Sequence, residues 1–349
     1  MKFQKLTKLK VGDKVAIVSP SFAAPGVWPH VYELGLKRVR EVFGLEPVEY
    51  PATKKVGASG TERGEDLENA FSNPDIKGLI ASLGGNDQVT YIKNLKPEEF
   101  VNNPKIFFGF SDNTHFCNFL WLHGIPSFYG ASLFTQFAMQ NKMDEFTVEY
   151  LKHAMFDSGE YELKQSDKYN DVTLEWGDPE NLSKSSVYEK NEGWIWNDGE
   201  NKSESIEGIS WGGCLESIDE LLRHNIQIPT LEDFKDIVLF TETSEEMPKS
   251  GHVFWVYRAL GERGILANVK AVLVGRPKAW EFATPLEGME KQKFKDDQVK
   301  TIVEVVRMYN KNVPIILNMD FGHTDPQIPL PYGGKIRIDQ VNKKIFAEF

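Results

Sequence analysis

Along the first 130 residues, compact apolar runs alternate with stretches whose apolar residues recur every three or four positions. Residues 14–19 (KVAIVS) form a β-branched run of strand length. Over 31–43, Leu34, Val39, Val42 and Phe43 fall near one helical face, and Gly44 ends the pattern. Residues 46–50 predict a second strand, and 63–71 predict a helix closed by Asn73-Pro74. Residues 78–85 (GLIASLGG) predict a buried strand followed by a glycine turn. A further strand over 105–111 and a helix over 113–123 follow. This β-α-β-α order predicts a mostly parallel sheet with helices on its faces.

The alternation then breaks. Residues 160 to 208 are polar, yet they hold three of the eight tryptophans, Trp176, Trp194 and Trp196. A long polar insertion with large aromatics is more often a functional loop than a core element. Trp194 and Trp196 alternate across a strand-like stretch, which suits packing. Beyond the insertion the α/β pattern returns, with strands over 236–241, 270–275 and 313–319, helices over 253–260 and 297–309, and a terminal hairpin over 335–349. The expected organisation is an N-terminal α/β domain over 1–160, the insertion over 161–207, and a C-terminal α/β domain over 208–349.

Composition narrows the classes. The 349 residues are 41% hydrophobic and 26% charged, as in ordinary globular proteins. A net charge of −11 argues against coating a nucleic-acid polymer. The longest apolar run, over 253–257, is far too short to span a membrane, and the N-terminal stretch lacks the apolar core of a secretory signal, so a cytoplasmic location is expected. The two cysteines make no disulfide framework, and no metal-ligand spacing is present, so neither a metal nor another cofactor is expected. Cys117 reads as a small buried side chain.

Candidate chemistry gathers at predicted strand ends. Gly109-Phe110-Ser111-Asp112-Asn113-Thr114 lies where a strand turns into a helix. A serine there is presented beyond the sheet edge, with the next N–H groups free to meet a developing oxyanion. The same position equally suits a helix cap, and the hexapeptide does not choose between them. Leu83-Gly84-Gly85-Asn86-Asp87 follows another strand and allows close backbone approach. A serine nucleophile needs a base held by a carboxylate. Of the seven histidines, His115, His123, His153 and His224 fall in or beside helical patterns, whereas His323 sits in a loop after a predicted parallel strand, where α/β sites form. The run Glu242-Thr243-Ser244-Glu245-Glu246 reads either as a solvated acidic turn or as the source of the acid, and Glu242, which alone sits at the strand end, is the acid candidate.

Taken together, GFSDNT, the upstream LGGND, the later LFTETSEE and the terminal NMDFGHTDPQIPLPYG resemble the LD-carboxypeptidase family of serine peptidases, and within it the branch that confers self-immunity to microcin C. The resemblance implies a flavodoxin-like N-terminal domain joined to a C-terminal domain, with the active site between them. It implies a Ser111–Glu242–His323 triad, an oxyanion hole from the N–H groups of Gly85 and Asp112, no metal, and a homodimer. Family members of one branch remove the terminal D-residue of murein tetrapeptides. Those of the immunity branch cut the amide joining a peptidyl or aminoacyl group to a nucleotide, using a longer loop whose tryptophan stacks on adenine; Trp176 is the match for that tryptophan. In WGGCLES, Cys214 stands where relatives often have asparagine. The leading expectation is hydrolysis of small peptidyl- or aminoacyl-nucleotides. The alternatives are a murein tetrapeptide LD-carboxypeptidase and a catalytically silent protein that binds peptides or nucleotides.

Overall fold

The computed structural model describes residues 2–200 and 204–349. The N-terminal half supplies β1 (Lys14–Val18), β2 (Glu46–Glu49), β3 (Ile76–Ala81), β4 (Ile106–Gly109) and β5 (Ser127–Tyr129). They pair in parallel in the order β2-β1-β3-β4-β5, the order of flavodoxin-like sheets. Helices fill the intervals because the chain provides both apolar faces and terminators. Pro29 opens the helix Pro29–Phe43 and Gly44 closes it, while a reciprocal Ser59/Glu62 capping box starts Gly60–Ser72. β5 is absent from the sequence reading because three residues carry no periodicity. The helix Glu145–Phe156 was also missed.

The second half contributes β6 (Glu160–Leu163), β7 (Lys168–Tyr169), β8 (Glu189–Lys190), β9 (Ile195–Asn197), β10 (Ser205–Cys214), β11 (Ile237–Glu242), β12 (Ala271–Gly275), β13 (Ile315–Met319), β14 (Leu330–Tyr332), β15 (Lys335–Asp339) and β16 (Lys344–Glu348). An eight-stranded sheet runs β6-β16-β15-β10-β11-β12-β13-β9. Its centre, β10 to β13, is parallel, and its flanks are antiparallel. The fold is therefore mixed α/β with two parallel-rich sheets. The expected terminal hairpin is β15–β16. The expected helix over 297–309 in fact begins nine residues earlier, as Gly288–Tyr309; its first turns are polar and carry no apolar period.

The insertion is only partly loop. β7 and β8 form a small ladder, and β9 is the edge strand beside β13. Trp194 and Trp196 pack here as expected: the Trp194 indole N–H donates to Asp320 at 2.9 Å, and Lys343 lies over the Trp196 ring.

The two halves share one continuous apolar core. Trp121 and Trp211 cross between them, donating to the Ser210 carbonyl and the Asn118 amide oxygen. β14 leaves the second half and pairs antiparallel with β5, closing that edge of the first sheet. Among the described residues no helix is long and apolar enough to cross a membrane.

Candidate active site

Ser111 follows β4 with φ +64°, a left-handed conformation that costs an L-residue about 1–2 kcal/mol. It is not a helix cap. The residue before the helix Thr114–Leu122 is Asn113, and no side-chain cap bond forms there. The turn is held from several sides instead. Asn113 donates its amide to the carbonyls of Leu83 and Phe110, and Thr114 donates its hydroxyl to the carbonyl of Ser111 at 2.7 Å. Gly84 is required by proximity: a Cβ there would lie 2.8 Å from Ser111 Cβ and 3.0 Å from its Oγ. The Asp112 carboxylate turns inward and accepts the N–H groups of Asp87 and Gln88, which ties the β3 turn to the β4 turn. Among the described residues, no acceptor takes the N–H of Gly85 or of Asp112.

Glu242 ends β11 and is fully buried. One oxygen accepts the Tyr129 hydroxyl at 2.6 Å, and the other accepts His323 Nδ1 at 2.6 Å. Gly322 makes room for it, since a Cβ there would meet Glu242 Oε2 at 2.5 Å. Tyr129 also accepts the Ser111 N–H at 3.1 Å. A single phenol therefore links the serine turn of one sheet to the carboxylate of the other. The three-residue strand that carries Tyr129 hid it from the sequence reading. Burial and the adjoining Glu242 push the Tyr129 hydroxyl far above its ordinary range, so it stays a donor.

His323 packs edge-on against Phe110, the neighbour of Ser111, with ring centres 4.9 Å apart. Its Nε2 lies 3.1 Å from Glu245 Oε2. Burial alone would lower the imidazole, but Glu242 and Glu245 together raise it to about 10. Ionised carboxylates only accept, so both ring nitrogens carry protons in this arrangement.

Ser111 and His323 open into one cavity of about 490 Å³, the size of a small-ligand site. Gly84 and Gly85 line one side and Trp176 another. Trp176 packs edge-on against Trp28 (5.2 Å) and Phe134 (5.6 Å), and its carbonyl pairs with His30 Nε2 at 2.7 Å. Sequence reasoning missed Trp28 and Lys278, which line the cavity, and His30 behind Trp176. Trp28 and His30 belong to no strand-end motif, and Lys278, three residues past β12, carries no pattern of its own.

Cys214 does not line the cavity. Its N–H donates to Thr114 Oγ1 at 3.0 Å, its thiol faces Glu216 at 3.2 Å, and burial drives the thiol well above its ordinary range. Cys117 is fully buried. Of the histidines set aside, His123 pairs with the Phe119 carbonyl and His153 with Asp157. His115 Nε2 lies 3.0 Å from Glu220 and 3.6 Å from Asp112, a grouping the sequence spacing did not suggest.

Known proteins bear on this geometry. The LD-carboxypeptidase N-terminal domain model matches residues 15–130, and the C-terminal domain model matches residues 207–338. The chain is 24% identical over 352 residues to the microcin C7 self-immunity protein MccF of Escherichia coli, covering 97% of this chain and 93% of that protein. It is 27% identical over 342 residues to the putative carboxypeptidase YocD of Bacillus subtilis (strain 168), covering 96% of each. The crystal structure of an MccF-like protein from Streptococcus pneumoniae in complex with AMP superposes with a TM-score of 0.82 at 27% identity, covering 96% of this chain and 98% of that one. With both domain models matched in order and relatives aligned along nearly its whole length, the chain belongs to the LD-carboxypeptidase family of peptidases, S66.

Proposed function

We propose that the chain is a serine peptidase or amidase that hydrolyses the amide bond of small peptidyl- or aminoacyl-nucleotides. Ser111 Oγ attacks the carbonyl while neutral His323 accepts the hydroxyl proton at Nε2. Glu242 holds the Nδ1–H and stabilises the imidazolium that forms. The N–H groups of Gly85 and Asp112 receive the oxyanion. His323 then returns the proton to the leaving nitrogen, and water repeats the sequence on the acyl-enzyme. The left-handed Ser111 turn opening into the same cavity as a histidine held by a buried carboxylate supports an enzyme over a silent binding protein.

The observation that carries the nucleotide reading is the shared cavity. Ser111 and His323 open into the same space as Trp176, whose ring is braced by Trp28 and Phe134. A purine stacked on such a ring gains about 1–3 kcal/mol. The AMP complex of the S. pneumoniae relative supports this reading. A second reading, murein tetrapeptide LD-carboxypeptidase, draws on the likeness to YocD.

A paired assay separates them, with wild type and Ser111→Ala each offered an aminoacyl sulfamoyl adenosine and a murein tetrapeptide. Serine-dependent cleavage of the adenosine compound is expected. Cleavage of the tetrapeptide alone would transfer the chain to the second reading.

A further inference from the structure

Two carboxylates hold His323, and they are held very differently themselves. Glu242 is fully enclosed, pinned by Tyr129 and walled in by Gly322. Glu245 lies three residues on, in the loop between β11 and the helix Ser250–Glu262, with its side chain 55% exposed. Its side-chain partner is His323 Nε2 at 3.1 Å. That nitrogen is the one that must take the Ser111 proton. While Glu245 accepts its N–H, it has no lone pair to offer.

The cavity shows what could draw Glu245 away. Glu245, Asp171, Glu175, Glu281 and Asp325 all line it, against the single lysine Lys278 among its lining residues. Lys278 is occupied with Thr173 at 3.0 Å, and burial lowers it below the ordinary lysine range. Asp171 is paired with Lys291 at 2.8 Å. Asp325 accepts from Gln136 at 3.2 Å and is raised by burial to about 6. Glu245 is thus the cavity-lining carboxylate that sits on His323, and its half-exposed side chain can change partner by rotation alone.

We propose that Glu245 recognises an ammonium group on the acyl part of the substrate, and that its transfer from His323 to that ammonium frees Nε2 for catalysis. The proposal rests on the reading of Ser111 and His323 given above. In the exchange the carboxylate leaves one cation for another. The imidazolium, now facing Glu242 and the Phe110 ring, gives its Nε2 proton to solvent, and the neutral nitrogen then accepts the Ser111 proton. Tyr129, Cys214 and Glu242 on the adjoining strands stay buried and do not change partners. Selectivity follows, because a neutral acyl group leaves the histidine blocked. The ammonium could be the α-amino group of an aminoacyl residue or the side-chain amine of a diamino acid, since both present the same cation.

Calorimetry with Ser111→Ala tests this without turnover, using three sulfamoyl adenosines: alanyl (α-ammonium), propionyl (no ammonium) and N-acetyl-lysyl (side-chain ammonium). At least one ammonium compound should bind about tenfold or more tightly than the propionyl compound. That ratio should fall to about twofold or less when Glu245→Gln is added. Which compound gains identifies the source of the ammonium. An unchanged ratio in the double variant overturns the proposal. Glu245 is half-exposed, so the variant should fold. A pH profile supplies the second readout: the acid limb of kcat/KM for the propionyl compound should move to lower pH in Glu245→Gln, and an unmoved limb counts against the proposal. If none of the adenosine compounds binds, the nucleotide reading fails. The same comparison, made with a murein tetrapeptide and its side-chain N-acetylated form, then decides the role of Glu245 alone.

Discussion

The two walls of the cleft are built on different principles. The Ser111 wall is backbone: turns at the ends of β3 and β4, laced by Asn113, Thr114 and Asp112, with glycine where any side chain would collide with the serine. The facing wall is side chain on loop: Trp176 resting on Trp28 and Phe134, Lys278 reaching Thr173, Glu245 on His323. A rigid wall suits bond-making, where small misplacements cost large factors in rate. An adaptable wall suits recognition, where one contact can be exchanged for another.

The comparison can be broken most severely at the serine. Ser111→Ala should lower kcat by roughly four to six orders of magnitude. Ser111→Gly should be as inactive but more stable than the alanine variant by about 1 kcal/mol, because glycine adopts φ +64° freely. Equal melting temperatures for the two would mean that the turn stores no strain. Next comes Glu242→Gln, which should cut kcat about 10⁴-fold while leaving substrate binding close to wild type; a loss confined to KM would remove its orienting role.

The recognition wall should respond more gently. Trp176→Ala should weaken binding of a sulfamoyl adenosine by about 5- to 150-fold and of a murein peptide hardly at all. Equal losses on both would leave the stacking argument without support.

The smallest effect concerns stability. The folded His323 is raised from 6.5 to about 10, so its contribution is complete below pH 6.5 and is lost as pH climbs through 10. Lys8, Lys105 and Lys295, each lowered by burial to about 8, pull the opposite way over the same range. The difference in melting temperature between wild type and Glu245→Gln isolates the histidine, and it should shrink steadily between pH 6.5 and 10. A constant difference would show that Glu245 does not hold the charged imidazole.

The same division governed what could be read from the residues. Parallel strands buried on both faces announce themselves as apolar runs, so β1, β3, β4, β11, β12 and β13 were legible, and with them Ser111, Glu242 and His323 at strand ends or just beyond. Tyr129 was not, because β5 has three residues and its partners lie 18 and 113 positions away. Nor was β10, whose first half is polar where it borders the antiparallel flank. The braces of Trp176 come from 28, 30 and 134, positions with no shared period. Glu245 stood in plain view within ETSEE, but a run of acids does not say which one turns inward.

β14 carries a consequence for how the molecule is made. Until residue 332 has left the ribosome, β5 is an open edge, offering unpaired backbone to any other extended chain. The strand that covers it follows His323 by seven residues, so the segment that carries the proposed base also seals the first sheet. A fragment ending before β14 would carry the serine turn on a half-finished and adhesive scaffold.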